Sequence, residues 1–295
     1  MRVFVTGATG WVGSAVVKDL IAAGHKVLGL TRSDEGAKAL AVAGAVAHRG
    51  ALHDLDSLRS GADQADAVIH TAFNHDFSKF AENCAEDQRA IETLGAALEG
   101  SGRPMATSSG VALLAPGRRA IEADALPNPS PFPRKSEQAT LALVDRGVRA
   151  MTVRLAPSVH GHGDKGFLAI LIAIAREKGV SAYIGEGLNR WPGVHRLDAA
   201  PVYRLALERG AAGDAFHAVA EEGVPLREIA EVIGRRLNIP VVSKPPAEAA
   251  GHFGWFASFA GIDAPSSSDR TRAALGWAPT GPGLIADLDH PAYFA

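Results

Sequence analysis

Gly7, Gly10 and Gly13 form a GxxGxxG pattern directly after the short β-branched run RVFVT, residues 2–6. Glycine at this spacing lets a backbone turn sharply and approach a pyrophosphate, which then rests on the positive end of the following helix. A second group of residues bears on which dinucleotide would sit there. NAD-binding proteins tend to carry an acid at the end of the second strand for the ribose 2′-hydroxyl. Here the corresponding residues are Thr31, Arg32 and Ser33. A guanidinium beside a hydroxyl suits a 2′-phosphate, which favours NADP(H) over NAD(H).

These residues need a βαβ unit to hold them. RVFVT reads as a buried strand, WVGSAVVKDLIAAG as a helix ending at Gly24, and HKVLGLT (25–31) as a second, parallel strand. A third apolar strand precedes GALHDLDSL (50–58), DAVIHTAF (66–73) reads as a fourth and MATSSGVAL (105–113) as a fifth. A polar, proline-rich connection (120–131) leads to a helix over about 133–146 that stops at Gly147, and VRAMTVRL gives a sixth strand. FLAILIAIAREK (167–178) is a helix expected between two lobes or against a partner subunit, and AFHAVA (215–220) a late strand returning to the sheet. HFGWFASFAGI (252–262) has a short helical pattern with four aromatic residues; its expected place is core, the alternative a lining for an apolar substrate.

Composition narrows the function classes. A formal charge of −2 over 295 residues, with Lys and Arg scattered, gives no electrostatic reason for nucleic acid or an anionic membrane as partner. The apolar fraction of 47% and charged fraction of 21% are those of a globular protein with a sizeable core. Cys84 is the single cysteine, which rules out an intrachain disulfide and a thiolate metal cluster. The glycine-broken start is unlike a secretion signal, and the longest apolar stretches are too short to span a bilayer, so a cytoplasmic location is expected.

Taken in order, these segments resemble the extended or atypical branch of the short-chain dehydrogenase/reductase family, over nearly the whole chain. TGATGWVG is similar to the family's TGxxGxxG loop, which makes Gly7, Thr9, Gly10, Trp11, Val12 and Gly13 candidate cofactor contacts. Asp54 and Leu55 stand where the family sets an Asp-aliphatic pair against adenine, and His70-Thr71-Ala72 resembles the HxAA step lining the cofactor, with Phe73 following. Thr107, Ser108 and Ser109 match the fifth strand's end, where a hydroxyl orients the substrate carbonyl. VRLAPSVHGHG (153–163), with Pro157 and Val159, looks like the turn over the nicotinamide. VHRLDAA (194–200) and VPLREIAEVIGRRLNIP (224–240) resemble later segments, the second belonging to a small lobe that closes over substrate. The resemblance implies an α/β, Rossmann-like doubly wound parallel sheet. Its nucleotide domain would cover 1–160, with 190–220 returning to it, and its smaller substrate-binding lobe 161–189 and 221–295.

The family's catalytic pair, Tyr-x-x-x-Lys, has no counterpart. Glu137 is the natural anchor for the acid that follows the pair, and counting back gives Pro133 at the Lys position and Pro129 at the Tyr position. Tyr183, Tyr203 and Tyr293 are the only tyrosines, and none has Lys four residues later. Phe132 and Ser136 keep the spacing without a phenol or an ammonium, and Lys135 falls on a different helix face.

Stabilising or protonating a developing alkoxide then falls to other groups. The candidates are Ser109 (with Ser108 beside it), His160 in the turn over the nicotinamide, and His75 in the loop after the fourth strand, next to Asp76. Lys135 is a weaker one. His160 and His162 with Asp164 form a chelate-like run but lack a distant ligand, so no metal is expected. The leading expectation is an NADP-dependent oxidoreductase acting on a small carbonyl, imine or activated alkene, with a second copy of the chain as a candidate partner in a homodimer. The alternatives are a non-catalytic NADP(H) sensor and an epimerase or dehydratase that recycles its cofactor.

Overall fold

The structure, a computed structural model, describes residues 1–112, 114–127 and 133–295. In chain order the strands are β1 (Arg2–Thr6), β2 (Lys26–Thr31), β3 (Val46–Arg49), β4 (Ala67–His70), β5 (Pro104–Gly110), β6 (Arg149–Leu155), β7 (Ser158–His160), β8 (Ser181–Ile184), β9 (Arg190–His195), β10 (Ala215–Ala218), β11 (Glu221–Pro225) and β12 (Val241–Lys244). Among the described residues, seven of them form one sheet in the order β10-β6-β5-β4-β1-β2-β3, every pair parallel. Strand order reverses between β1 and β4, and at such a switch point the loops after the two strands part to leave a crevice.

The helices are α1 (Trp11–Ala22), α2 (Asp34–Val42), α3 (Leu55–Asp63), α4 (Phe80–Leu98), α5 (Ser136–Ala142), α6 (Phe167–Lys178), α7 (Arg196–Arg209), α8 (Leu226–Leu237), α9 (Ala249–Phe253), α10 (Ala257–Ala260), α11 (Asp269–Leu275) and α12 (Leu284–Leu288). The alternation of β1 shows why this is a doubly wound fold. Val3 and Val5 enter a core shared with α1, α7 and α11, while Phe4 enters a second core with α3, α4 and α5. A strand buried on both faces reads as one unbroken apolar run, as RVFVT does. β10 closes the sheet beside β6, so the late strand does return to the seven-stranded sheet.

A separate apolar core gathers Leu168, Leu171 and Ile172 of α6, Ile229 and Ile233 of α8, and Phe253 and Phe256. The small sheets β11-β9-β7 and β12-β8 frame it. β9 serves both cores, because Trp191 packs into the small one and Val194 into the large one.

Several elements are shorter than the sequence pattern suggests. The fourth strand stops at His70 and the fifth at Gly110, because their ends turn out as loops at the crevice. Of the expected 133–146 helix only Ser136–Ala142 is α-helical; a 3-10 turn follows at Val144–Arg146, and Gly147 ends it at φ +74°. Pro133 precedes this helix and is exposed, whereas Pro129 and Phe132 lie outside the described residues. The 252–262 segment is broken into α9, a 3-10 turn and α10, with Gly254 at φ +56° between them.

Glu137 and Arg154 meet in the interior, both nearly inaccessible to solvent. Arg154 Nε donates to Glu137 Oε2 at 2.9 Å and Nη2 donates to the other oxygen, a two-pronged pairing. The remaining guanidinium protons reach the carbonyls of Glu122 and Asp124, and His217 Nε2. Removing one partner strands a buried charge. Glu137→Ala is expected to lower unfolding free energy by about 3–5 kcal/mol in urea denaturation, and Glu137→Leu combined with Arg154→Met to recover much of the loss.

Candidate active site

The glycine loop is built by close approach. Gly7 sits at φ +66°, and a Cβ there would lie 2.7 Å from the backbone nitrogen of Ala72. A Cβ on Gly13 would run into Gly7 O and come within 2.8 Å of Thr71 Oγ1. The loop after β1 and the loop after β4 are thus pressed together, which needs glycine at both positions. Gly10 caps α1 without a side-chain hydrogen bond, so the N–H groups of the helix's opening turn have no intrahelical or capping acceptor. That cradle fits a dinucleotide pyrophosphate.

The flanking candidates fall around it. Thr9 and Gly10 are exposed and Val12 is half-buried at the loop. Thr71 Oγ1 donates to Thr6 O at 2.8 Å, and Trp11 Nε1 donates to Val159 O at 2.7 Å. The Arg196 guanidinium lies 4.2 Å over the Trp11 ring, and half-buried Pro157 immediately precedes β7. Arg32 is exposed at the end of β2, beside Ser33, whose hydroxyl caps α2 by accepting from Gly36 N–H at 3.0 Å. Asp54 caps α3 by accepting from Ser57 N–H at 3.1 Å, and Leu55 packs partly into the core.

Beneath the crevice runs a buried polar chain that sequence reasoning missed. His70 Nε2 donates to Asp87 Oδ1 at 3.1 Å, leaving Nδ1 to accept from the Thr6 hydroxyl at 2.8 Å. Asp87 Oδ2 accepts from Ser136 Oγ at 2.5 Å, and Ser136 Oγ accepts from Arg134 Nε at 2.8 Å. Burial opposes the Asp87 charge, but the hydrogen bonds from His70 and Ser136, with the Arg134 charge, hold its pKa below the ordinary carboxylate value. The available signal was Asp87 itself, an acid on the apolar stripe of α4 between Cys84 and Ile91.

The strand-end hydroxyls divide by face. Thr107 is fully buried, and its hydroxyl bonds Thr140 Oγ1 at 2.6 Å. Ser108 is also turned inward. Its Oγ donates to His70 O at 3.0 Å and is 2.7 Å from Tyr203 OH, which the network makes the donor. Burial raises the Tyr203 pKa and keeps that phenol protonated. One tyrosine does reach the strand end, then, from α7 beneath the sheet. Ser109 follows the alternation onto the α5 side and is half-buried.

The histidine candidates separate. His75 is exposed in the loop after β4, with its ring 5.3 Å from Phe73; desolvation by surrounding atoms and the Arg134 charge lower its pKa despite a backbone bond at Phe73. His160 is buried, and its Nδ1 bonds Asp287 Oδ2 at 2.9 Å. Tyr293 OH donates to the same oxygen at 2.6 Å and accepts from Gly161 N–H at 2.7 Å. These bonds tie β7 to the C-terminal segment through His160. Among the described residues, no group of three or more His, Cys, Asp or Glu side chains is placed to hold a metal ion.

Residues 3–220 match the NAD dependent epimerase/dehydratase family. The chain belongs to that family. Uncharacterized protein C2A9.02 of Schizosaccharomyces pombe is 51% identical over 296 residues, covering 100% of each chain. The 4-hydroxy-2-methyl-3-oxo-4-farnesyl-3,4-dihydroquinoline-1-oxide ketoreductase of Stigmatella aurantiaca is 29% identical over 273 residues, 86% of this chain and 80% of that one. Among solved structures, DesIV of Streptomyces venezuelae, a dTDP-glucose 4,6-dehydratase with NAD bound, superposes with a TM-score of 0.76 at 19% identity, covering 100% of this chain and 97% of that one. The epimerase/dehydratase family is one of nicotinamide-cofactor enzymes, and the glycine cradle of this member fits that cofactor class. No helix among the described residues is long and apolar enough to cross a membrane.

Two outcomes follow from this geometry. Gly13→Ala, which forces a methyl into Gly7 O, is expected to weaken NAD(P)H binding by at least about tenfold in a fluorescence titration. Asp164 is the second case: burial pushes its carboxyl up to about 6, and the Asp287 charge adds to this against the Gly166 and Lys165 N–H groups. Between the ordinary carboxylate pKa and about 6 the folded state binds more protons than the unfolded, so stability falls as pH rises through that window. Asp164→Asn is expected to stabilise at pH 7.5 by on the order of 1 kcal/mol, discounted for partial exposure, and to bring no gain near pH 4, as read from paired thermal melts.

Proposed function

We propose that this chain is an NADP(H)-preferring oxidoreductase of the atypical short-chain dehydrogenase/reductase type, acting on a small carbonyl-like substrate without the Tyr/Lys pair. The observation that carries the reading is the uncapped glycine cradle at the β1/β4 switch point with Arg32 at the end of β2. A bound nicotinamide supplies or accepts a hydride. The chain's own residues do the remaining work. The opening N–H groups of α1 hold the pyrophosphate, Arg32 and Ser33 face the 2′-phosphate, and Asp54 with Leu55 flanks the adenine. Ser109 offers a hydroxyl to the substrate oxygen, and His75, its pKa lowered, is a neutral imidazole at neutral pH that exchanges a proton at the mouth of the site. Similarity to the Stigmatella aurantiaca ketoreductase supports carbonyl chemistry over sugar epimerisation.

Fluorescence titration of NADPH and NADH tests the cofactor side. NADPH is expected to bind at least about tenfold tighter than NADH, and Arg32→Glu to reverse the preference. A wild-type protein that binds neither dinucleotide overturns the reading. The exposed Pro133, standing before α5 rather than on it, favours one alternative, a non-catalytic NADP(H) sensor. That alternative takes over if dinucleotide binds but no carbonyl or imine panel consumes NADPH.

A further inference from the structure

Arg134 is the cation that the dyad reading overlooked. It is half-buried, two residues before α5, and its guanidinium touches the ends of two strands at once. Nη2 donates to Ser108 O at 3.3 Å at the end of β5, and Cζ lies 4.3 Å over the Phe73 ring in the loop after β4. Nε is fixed by Ser136 Oγ. Among the described residues no carboxylate forms an ion pair with it. The nearest acid of the same network, Asp87, has one oxygen bonded to Ser136 and the other to His70. By contrast Arg154, Arg190 and Arg204 each lie against an acid.

A half-buried guanidinium stacked on a ring is desolvated and costly unless an anion completes it. Its orientation is fixed before any ligand arrives, by Ser136 and the ring face, so little freedom is lost on binding. The wall beside it is aromatic. The Phe73 ring has His75 at 5.3 Å and Phe80 at 6.2 Å, and Phe77 continues the wall to the small lobe by stacking on Trp255 at 5.0 Å and meeting Phe259 at 6.1 Å. Trp255 is 56% exposed. Flat apolar surface beside a planar cationic fork suits a flat conjugated acid, not a polyhydroxylated sugar.

We propose that Arg134 and Phe73 form an anion subsite in the candidate active site, and that its substrate carries a carboxylate on a flat, apolar body. The inference rests on the reading of the crevice as a reaction site, because the subsite lies at the same strand ends as Ser109. Arg134 binds and orients the acid group through its planar fork of N–H donors.

Benzoate is the probe and neutral benzamide its control, titrated calorimetrically into the full chain with and without saturating NADP+. Benzoate is expected to bind wild type at least about tenfold more tightly than benzamide. Arg134→Gln should abolish that preference, and Arg134→Lys should retain part of it, with thermal melts reporting the fold of each. Equal benzoate affinity in wild type and Arg134→Gln, or no preference over benzamide in wild type, overturns the proposal. If Arg134→Gln fails to fold, Arg134→Lys decides: a benzoate-over-benzamide preference smaller than that of wild type supports the subsite, and an unchanged preference overturns it. Dinucleotide binding is read separately by nicotinamide fluorescence. Its failure would sink the oxidoreductase reading while the benzoate comparison still judges Arg134.

Discussion

A carboxylate buried to 1% exposure, Asp87, fixes the geometry on which the crevice depends. An ionised acid in that position is tolerated only when its oxygens are answered, and they are: His70 at the end of β4 takes one, Ser136 at the start of α5 the other. Through His70 the same network reaches Thr6 at the end of β1, and through Ser136 it reaches Arg134. One buried charge thereby ties together the three chain segments that border the switch point.

The consequences spread outward by packing. With His70 held, the Thr71-Ala72 step is set against Gly7 closely enough that no side chain fits between them. With Ser136 held, α5 keeps Glu137 opposite Arg154, and that pair joins α5 to β6. The small lobe is attached by different means. Asp287 and Tyr293 bond the β7 region through His160 and Gly161, while Phe77 stacks on Trp255 from the other side. One attachment is polar and enclosed, the other aromatic and partly open, and the second borders the mouth of the candidate site.

The cofactor side of the site was legible because it depends on backbone and on local order. A strand followed by GxxGxxG and a helix leaves the chain few conformations, so Gly7, Gly10 and Gly13 announce their purpose at short range. The acid-base side was not legible in the same way. His160 looked free because its partner, Asp287, lies far along the chain in another segment. Tyr203 looked irrelevant because the test applied was spacing within one helix, whereas it reaches Ser108 from α7 across the sheet. Ser108 and Thr107 looked like contacts of the crevice, and their inward bonds became visible only with the layers in place.

By itself the sequence determined the doubly wound parallel sheet and the dinucleotide cradle, each written in contiguous residues whose periodicity and turn chemistry act locally. Tertiary structure alone decided which polar side chains are spent on holding the fold and which remain to meet a ligand. Thr107, Ser108 and His160 are each bonded inward to residues far along the chain. That division rests on bonds between residues tens of positions apart, and no local pattern encodes those.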